Sequence, residues 1–447
     1  MRIIRSDTFR IESCPEGRQA LGGLLEQYRC LVRDLMTVIN THWPVLGALE
    51  GHRIIQSTEA LMHPTSKRPV VKYGYFHRRY YKFPSYLRRA AIADAAGQVR
   101  SFHSRYNRWL DGERRRGDEK PPKLTCATST FPSLYRGQCV RFSDDGRTAW
   151  IKVYWQRDWI WRAYRLTGTA RYAGQGRAMS PLLRCKRGCW SLSVPIEIDI
   201  ERRADTPGRV LAIDVGMNTT AAGAIVDVDG TVHARFFERR SDSDREHRLM
   251  ARIRARARVA GRHGGRLQRG FCRATYRQLR HLADDQAHQI SRRIVNRAIA
   301  GDCQAIVLEQ LKGFRPTGGK RRSHLNARFH RWYHRMLTER IEAKAAEAGI
   351  RTIQVWPRGT SAQAFDGSGK VRRDRTNASL CVFPSGKRYN TDLNAAYNIA
   401  ARGIIYLTQP GRRKSAGGAS GQKSPAAPRS PVTLSSLWAN QALNQVG

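Results

Sequence analysis

Carboxylates are scarce in this chain. Only 36 Asp and Glu stand against 80 Lys and Arg, leaving a formal charge of +44. A compact fold at that charge repels itself unless a polyanion offsets it. A generally basic enzyme surface is the plainer alternative, but a nucleic-acid ligand explains the charge better, because phosphates are what such surfaces neutralise. The cations run along most of the sequence, whereas a membrane-surface role needs them gathered on one amphipathic helix. Long apolar runs are also missing, and none approaches the roughly 20 residues of a membrane span. The start, MRIIRSDTFRIES, is charged where a signal peptide needs an apolar stretch. Cysteine is sparse, nine residues without framework spacing, which fits reduced thiols in a cytoplasmic protein. Apolar residues make up 40% of the chain and ten are tryptophan, so cores can form. The length suits roughly two to four compact units.

The first dozen residues read as a strand closed by a turn at Pro15-Glu16-Gly17. A helical stretch runs from about 20 to 120, with Leu24, Tyr28, Leu31, Leu35 and Ile39 at helical spacing. From 125 to 205 the period changes to two. Val140–Phe142 and Ala149–Tyr154 read as a hairpin about Asp144-Asp145-Gly146, and Trp190–Ile200 follows the turn Lys186-Arg187-Gly188. This half is expected to be a small β-barrel with a helical insertion after its first strand. Beyond 206, Val210–Asp214 reads as a buried strand, with a hairpin of Ala221–Val228 and Thr231–Phe237 beside it. Helices are expected at 243–260 and 274–300, then a strand at Ala305–Leu308. An amphipathic helix follows at 327–348, with Phe329, Trp332, Tyr333, Met336, Leu337 and Ile341 on one face. Residues 357–390 are Gly-rich and irregular, 391–407 reads as helix, and the Gly, Ser, Ala, Pro and Lys composition from 411 onward reads as a solvated, disordered tail.

Because acids are rare, their placement is informative. Asp214 ends an apolar strand and is followed by Gly216 and Asn218. Glu309 ends a second apolar strand, and Asp392 sits at the start of a helix. Acids at the ends of adjacent strands converge on one sheet edge, where three of them can hold two metal ions about 3.5–4 Å apart. One metal would activate the attacking water and the other would stabilise the leaving 3′ oxygen. Oxygen ligands suit Mg²⁺ or Mn²⁺ rather than zinc. Each acid alone has a plainer reading, as a strand-end cap or a first-turn helix acid. Their conjunction and order are those of an RNase H-like fold.

These residues resemble the three catalytic motifs of the RuvC domain in TnpB, the transposon-encoded RNA-guided nuclease, and in the compact type V CRISPR effectors. Ile213-Asp214-Val215-Gly216 is similar to the first motif and Ile306-Val307-Leu308-Glu309-Gln310-Leu311 to the second. Asp392-Leu393-Asn394-Ala395-Ala396-Tyr397-Asn398-Ile399 is similar to the third. The resemblance covers roughly 180–405, and 1–180 only in layout. It implies a multidomain protein of mixed α/β and β class, with an RNase H-like RuvC domain at 206–356 and 391–410. Within it lies an Arg-rich bridge-helix region at 240–300. An OB-like wedge barrel is implied at 1–20 and 125–205, carrying a helical recognition insertion at 21–124. The implied partners are a guide RNA and a target duplex DNA with a short flanking motif. The implied setting is the bacterial cytoplasm, on the nucleoid when DNA is bound. A monomer is favoured over an oligomer.

The family usually carries two Cys-x-x-Cys pairs in the lobe at 357–390. Here Ala364 and Gly367 stand at the first pair, and of the second pair Cys381 remains, with Pro384 at its partner's position. One thiol cannot make a tetrahedral zinc site. No structural zinc is expected, and this target-strand-loading lobe should be held by packing of Phe365, Val371, Val382 and Phe383. Cys185 and Cys189 flank a hairpin turn and are expected to be buried thiols. Losing the zinc pairs also points from the transposon form toward a CRISPR one.

Residues 251–280 hold ten arginines and no acid. Arg252, Arg254, Arg256, Arg258, Arg262 and Arg266 are therefore candidate phosphate contacts, since a merely solvated face usually mixes signs. Lys320, Arg321 and Arg322 form a second cluster. The run Tyr73–Lys82 interleaves aromatics with cations; Tyr75, Arg78, Arg79, Tyr80 and Lys82 are candidates for stacking bases and clamping phosphates, or for packing the helical insertion. No base-reading module is visible, in keeping with sequence being read by guide pairing. Two other readings stay open: a guide-directed DNA binder that has lost cleavage, and a resolvase or transposase of the same fold without RNA.

Overall fold

The computed structural model describes residues 1–112, 120–203, 208–216, 219–262, 264–268, 270–311, 334–374, 376–377, 379–408 and 432–439. The chain divides into two compact units, Arg2–Asp199 and Ile200–Gly447, the latter including Met1.

Within Arg2–Asp199, the alternating stretches pair as seven antiparallel strands. They are β1 (Arg2–Glu12), β2 (Val140–Phe142), β3 (Thr148–Trp155), β4 (Asp158–Thr167), β5 (Arg177–Ala178), β6 (Leu182–Lys186) and β7 (Cys189–Asp199). The order is β2-β3-β4-β1-β7-β5, with β6 also on β7. Two-residue turns join β3 to β4 and β6 to β7, and Gln156, Arg157, Arg187 and Gly188 all take the positive φ that matches hairpin twist. Among the described residues no ladder joins β2 to β5. The expected barrel is thus present as a curled, open sheet, because its edge strands are too short to close it. Cys189, expected to be buried, is exposed where β7 leaves the β6–β7 turn, on the alternate of buried Trp190, and Cys185 is half-buried.

Among the described residues, five helices follow β1: α1 (Pro15–Thr41), α2 (Trp43–Leu46), α3 (His52–Met62), α4 (Tyr75–Arg79) and α5 (Ser85–Leu110). Pro15 opens α1, where its missing N–H costs nothing. Leu24, Tyr28, Leu31, Leu35 and Ile39 form the buried stripe their spacing predicts. They pack with Leu87, Ile92 and Val99 of α5 and Ile151 and Val153 of β3 in one core. The Tyr28 hydroxyl stays satisfied there by donating to Asp94 at 2.7 Å.

In Ile200–Gly447, β8 (Val210–Asp214), β9 (Ala221–Val226), β10 (Val232–Glu238), β11 (Ala305–Glu309) and β12 (Arg351–Val355) form a sheet of order β10-β9-β8-β11-β12. The β8–β9–β10 ladders are antiparallel, and β11 lies parallel to β8 and β12. Apolar runs without alternation mark strands covered on both faces, and both are covered here. Leu211, Ile213, Ile306 and Leu308 pack with Ile290 and Ile294 of α7 (Arg273–Ala300) and with Leu337 and Ile341 of α8 (His334–Glu347). Val210, Ala212, Ala305 and Val307 pack with Ala396, Ile399 and Ile404 of α9 (Thr391–Thr408). Gly403 lets α9 approach this closely, since a Cβ there would clash with the side chain of Val307. α6 (Ser243–Arg262) precedes α7.

The lobe at 357–390 carries a small antiparallel sheet, β13 (Arg372–Arg373), β14 (Leu380–Val382) and β15 (Arg388–Asn390). Phe365, Val371, Cys381 and Phe383 are buried in it and Val382 is half-buried. Part of the chain expected as a solvated tail is built into the core. Leu434 and Leu437 are buried against the α9 face, and the Leu434 amide donates to Asn398 Oδ1 at 3.2 Å. Two leucines outweigh the polar composition around them once α9 offers them a surface. Among the described residues, no helix is long and apolar enough to cross a membrane.

Candidate active site

Strand periodicity brings the acids together. Val210 and Ala212 face α9, so a period of two carries Asp214 to the same face, and Ala305 and Val307 carry Glu309 there likewise. The parallel register aligns Val307 with Ala212 and Leu308 with Ile213, which leaves Asp214 and Glu309 neighbours at the ends of their strands. α9 begins over this edge. Asn390 Oδ1 accepts from the Asp392 and Leu393 amides, both at 3.0 Å, and so fixes the helix start that carries Asp392. A Cβ at Gly216 would lie 2.7 Å from the Thr219 carbonyl and 3.9 Å from Asp392 Oδ2, so glycine keeps this turn tight against the acid.

All three carboxyls are half-buried. Burial, then the charges of Glu309 and Asp392, push Asp214 well above the ordinary carboxylate range; Arg373 opposes them. Burial also raises Glu309, against the hydrogen bond from Thr360 and the charge of Arg402. Asp392 is raised by burial against a hydrogen bond from Thr219 and the charge of Arg373. Thr360 Oγ1 lies 2.5 Å from Glu309 Oε1 and 2.8 Å from the Pro357 carbonyl. Arg402 donates to the carbonyls of Trp356 and Arg358, bracing the segment that leads to Thr360.

Asn394 and Asn398, both fully buried on α9, tie the lobe to this helix. Asn394 Nδ2 donates to Gln363 O at 2.8 Å, and its Oδ1 accepts from Phe365 N at 2.9 Å. Asn398 Nδ2 donates to Thr360 O and Gln363 O, each at 2.9 Å. Thr360, Arg373 and Arg402 were not singled out from sequence. Nothing local marks them, since each acts through a fold-level approach to the acids.

Among the described residues, no group of three or more His, Cys, Asp or Glu is close enough as it stands to hold a metal ion. The donor chemistry nonetheless suits one. Three carboxylates share a face, and the charges of two of them raise the third, a repulsion that a hard, oxygen-seeking cation relieves.

Arg252, Arg254, Arg256, Arg258 and Arg262 lie on α6 and Arg266 just after it, all exposed; only Leu249 and Ile253 of that helix are buried. Arg78 and Arg79 on α4, and Lys82 beyond it, are exposed, as is Tyr75. Tyr80 is a correction. It is buried in the core, and its hydroxyl donates to Asp34 Oδ2 at 2.6 Å, so it packs rather than presents a ring to solvent. Tyr81 is the exposed ring beside it. Lys320, Arg321 and Arg322 lie outside the described residues.

Residues 334–399 match a family described as Cas12f1-like, TNB domain, and residues 5–155 match the Aq_aa04 family. The chain is 26% identical over 233 residues to the CRISPR-associated endodeoxyribonuclease Cas12f1 of Sulfoacidibacillus thermotolerans, covering 49% of this chain and 51% of that protein. It is 22% identical over 268 residues to the TnpB-like protein ORF457 of Acidianus two-tailed virus, covering 53% of this chain and 55% of that one. The chain thus spans about half the length of the curated relatives it matches. In fold it is similar to a chain of the cryo-EM structure of a Cas12f1–sgRNA–target DNA complex, with a TM-score of 0.51 and 14% identity, over 86% of this chain and 81% of that one. The resemblance to TnpB and the compact type V effectors, read from three acidic motifs, agrees with these likenesses in sequence and in fold.

Proposed function

We propose that this chain is an RNA-guided DNA endonuclease. It binds a guide RNA, recognises a short motif flanking its target in duplex DNA, forms an RNA–DNA heteroduplex and hydrolyses DNA phosphodiesters at Asp214, Glu309 and Asp392. One observation carries the reading: strand register makes Asp214 and Glu309 neighbours on the sheet face beneath the start of α9, which supplies Asp392. The likeness to an endodeoxyribonuclease and to a TnpB-like protein supports it.

Asp214, Glu309 and Asp392 would hold Mg²⁺ or Mn²⁺. A cation held by these three residues would supply an activated water and stabilisation of the leaving oxygen. Thr360 orients the Glu309 carboxylate, and the charges of Arg373 and Arg402 favour the ionised acids, opposing the burial that raises them without cancelling it. The exposed arginines of α6 neutralise phosphates along the guide–target duplex. To the wedge and recognition parts, OB-like in the first case, we assign the guide scaffold and the flanking motif; to the lobe at 357–390 we assign delivery of the strand to the acids without zinc.

The test is cleavage of a plasmid matched to the RNA that co-purifies with the protein. Wild type should cut it in Mg²⁺ and stop on chelation, while Asp214→Ala should bind and not cut. A second reading, guide-directed binding without cleavage, is favoured by one observation: of the family's four cysteine positions in the loading lobe, only Cys381 keeps a thiol. If wild type and Asp214→Ala both bind the plasmid and leave it intact, the nuclease reading fails and the second stands.

A further inference from the structure

The outer face of the curled sheet in Arg2–Asp199 carries aromatic rings and cations that the acidic site does not use. Ala149, Ile151 and Val153 of β3 and Tyr164 and Leu166 of β4 are buried beneath the sheet. Their alternates therefore face outward. Trp150 of β3 is 39% exposed, flanked by Arg141 of β2 and by exposed Ala163 of β4. Lys152, two residues along β3, pairs with Trp161 of β4. The Arg141 guanidinium lies 4.5 Å from the Trp161 ring centroid and the Lys152 ammonium 5.8 Å from it. Arg165 completes the face, and the one acid nearby in these registers, Glu12, is already paired with it at 3.7 Å.

We propose that this face is a stacking platform for unpaired nucleotides, RNA or DNA. Trp150 is exposed and Trp161, half-buried, lies under two cations, so the face offers an aromatic surface with charge beside it. The small side chain of Ala163 leaves the Trp150 ring open on one side. A diagonal cross-strand pair such as Trp150 and Trp161 sits roughly 7–8 Å apart, which suits neighbouring bases pulled out of their own stack. A base supplies the π face and its phosphate supplies the charge for Arg141 and Lys152. Duplex bases are already stacked on one another, so an unpaired strand is the occupant this chemistry selects. The inference rests on the reading of the chain as a nucleic-acid binder, but not on cleavage.

The test uses the full chain, freed of co-purified nucleic acid, and fluorescence anisotropy of short labelled strands at salt high enough to suppress backbone attraction. Three strands are compared: ribo-oligonucleotide, deoxy-oligonucleotide, and the same backbone without bases. Wild type should prefer strands with bases, and the Trp150→Ala, Trp161→Ala double variant should lose about tenfold or more of that preference. Ala163→Glu leaves both rings and the core in place and should lose it too, with an unchanged thermal midpoint. Trp150→Phe should keep most of it. A preference confined to the ribo strand assigns the platform to guide RNA, and one confined to the deoxy strand assigns it to displaced DNA. If base-bearing and abasic strands weaken together, or the preference survives Ala163→Glu and the double variant, the platform is overturned. Failure of wild type to bind any strand would instead overturn the nucleic-acid reading itself.

Discussion

A carboxyl set between two others, with little water around it, is held against its own charge. Asp214 is raised by burial first and by Glu309 and Asp392 second. A folded value above the unfolded one means that the folded chain holds the extra proton between the two. The stability this contributes is complete below the unfolded value of about 3.9 and is lost as pH rises through the folded value. Without divalent metal, Asp214 therefore costs the fold stability as pH rises above the unfolded value. Asp214→Asn keeps the shape and removes the charge, so its thermal midpoint should exceed that of wild type near pH 8, with the gap closing toward about pH 4. Added Mg²⁺ should raise the wild-type midpoint and leave that of the variant nearly unchanged. Thermal scans across pH, with and without Mg²⁺, decide it; equal midpoints near pH 8 would remove Asp214 as a strained acid.

Elements announced themselves where one segment carried its own signal. The α1 stripe and the apolar runs of β8 and β11 were legible, because burial on one or both faces imposes a period or its absence on the residues themselves. Where facing depends on a distant partner, the chain was silent. Tyr80 sits among cations like its exposed neighbours, and only the core beneath α4 makes it a packing residue. Trp150 lies in a stretch read as strand and Trp161 was not singled out; only the register of β3 and β4 shows that both face away from the core. Leu434 and Leu437 lie beyond a Gly- and Pro-rich stretch, and only α9 gives them a place. That last contact has a consequence for the element. A chain ending at residue 431 uncovers the α9 face and removes two buried leucines, worth together roughly 3–5 kcal/mol. It also leaves Asn398 Oδ1 without the Leu434 amide. Hydrogen exchange along α9 should quicken in the shortened chain while exchange along α1, in the other unit, stays as it was. Unchanged α9 protection would show that the segment lies on the core without stabilising it.

At the scale of the whole molecule the charge of +44 asks for a polyanion, and α6 is where the demand is densest. Arg252 and Arg256, and Arg254 and Arg258, are like-charged pairs at i,i+4, each destabilising the helix by a few tenths of a kcal/mol. Among the described residues none of these four has a carboxylate partner. Two explanations separate cleanly. If the arginines only keep the surface solvated, changing all four to Gln relieves repulsion and leaves nucleic-acid binding as it was. If they neutralise phosphates, each lost contact removes one counterion-release step, and the slope of log affinity against log salt becomes shallower by about 0.9 per contact on duplex. We expect the quadruple variant to bind duplex more weakly at low salt, with a slope shallower by roughly 2–4, because neighbouring arginines on one helix need not all reach a phosphate. Its affinity should meet that of wild type as salt rises, since what was removed is screened there anyway. Salt titrations that coincide for wild type and variant, in slope and in affinity, would assign α6 to solvation and move the phosphate contacts elsewhere on the chain.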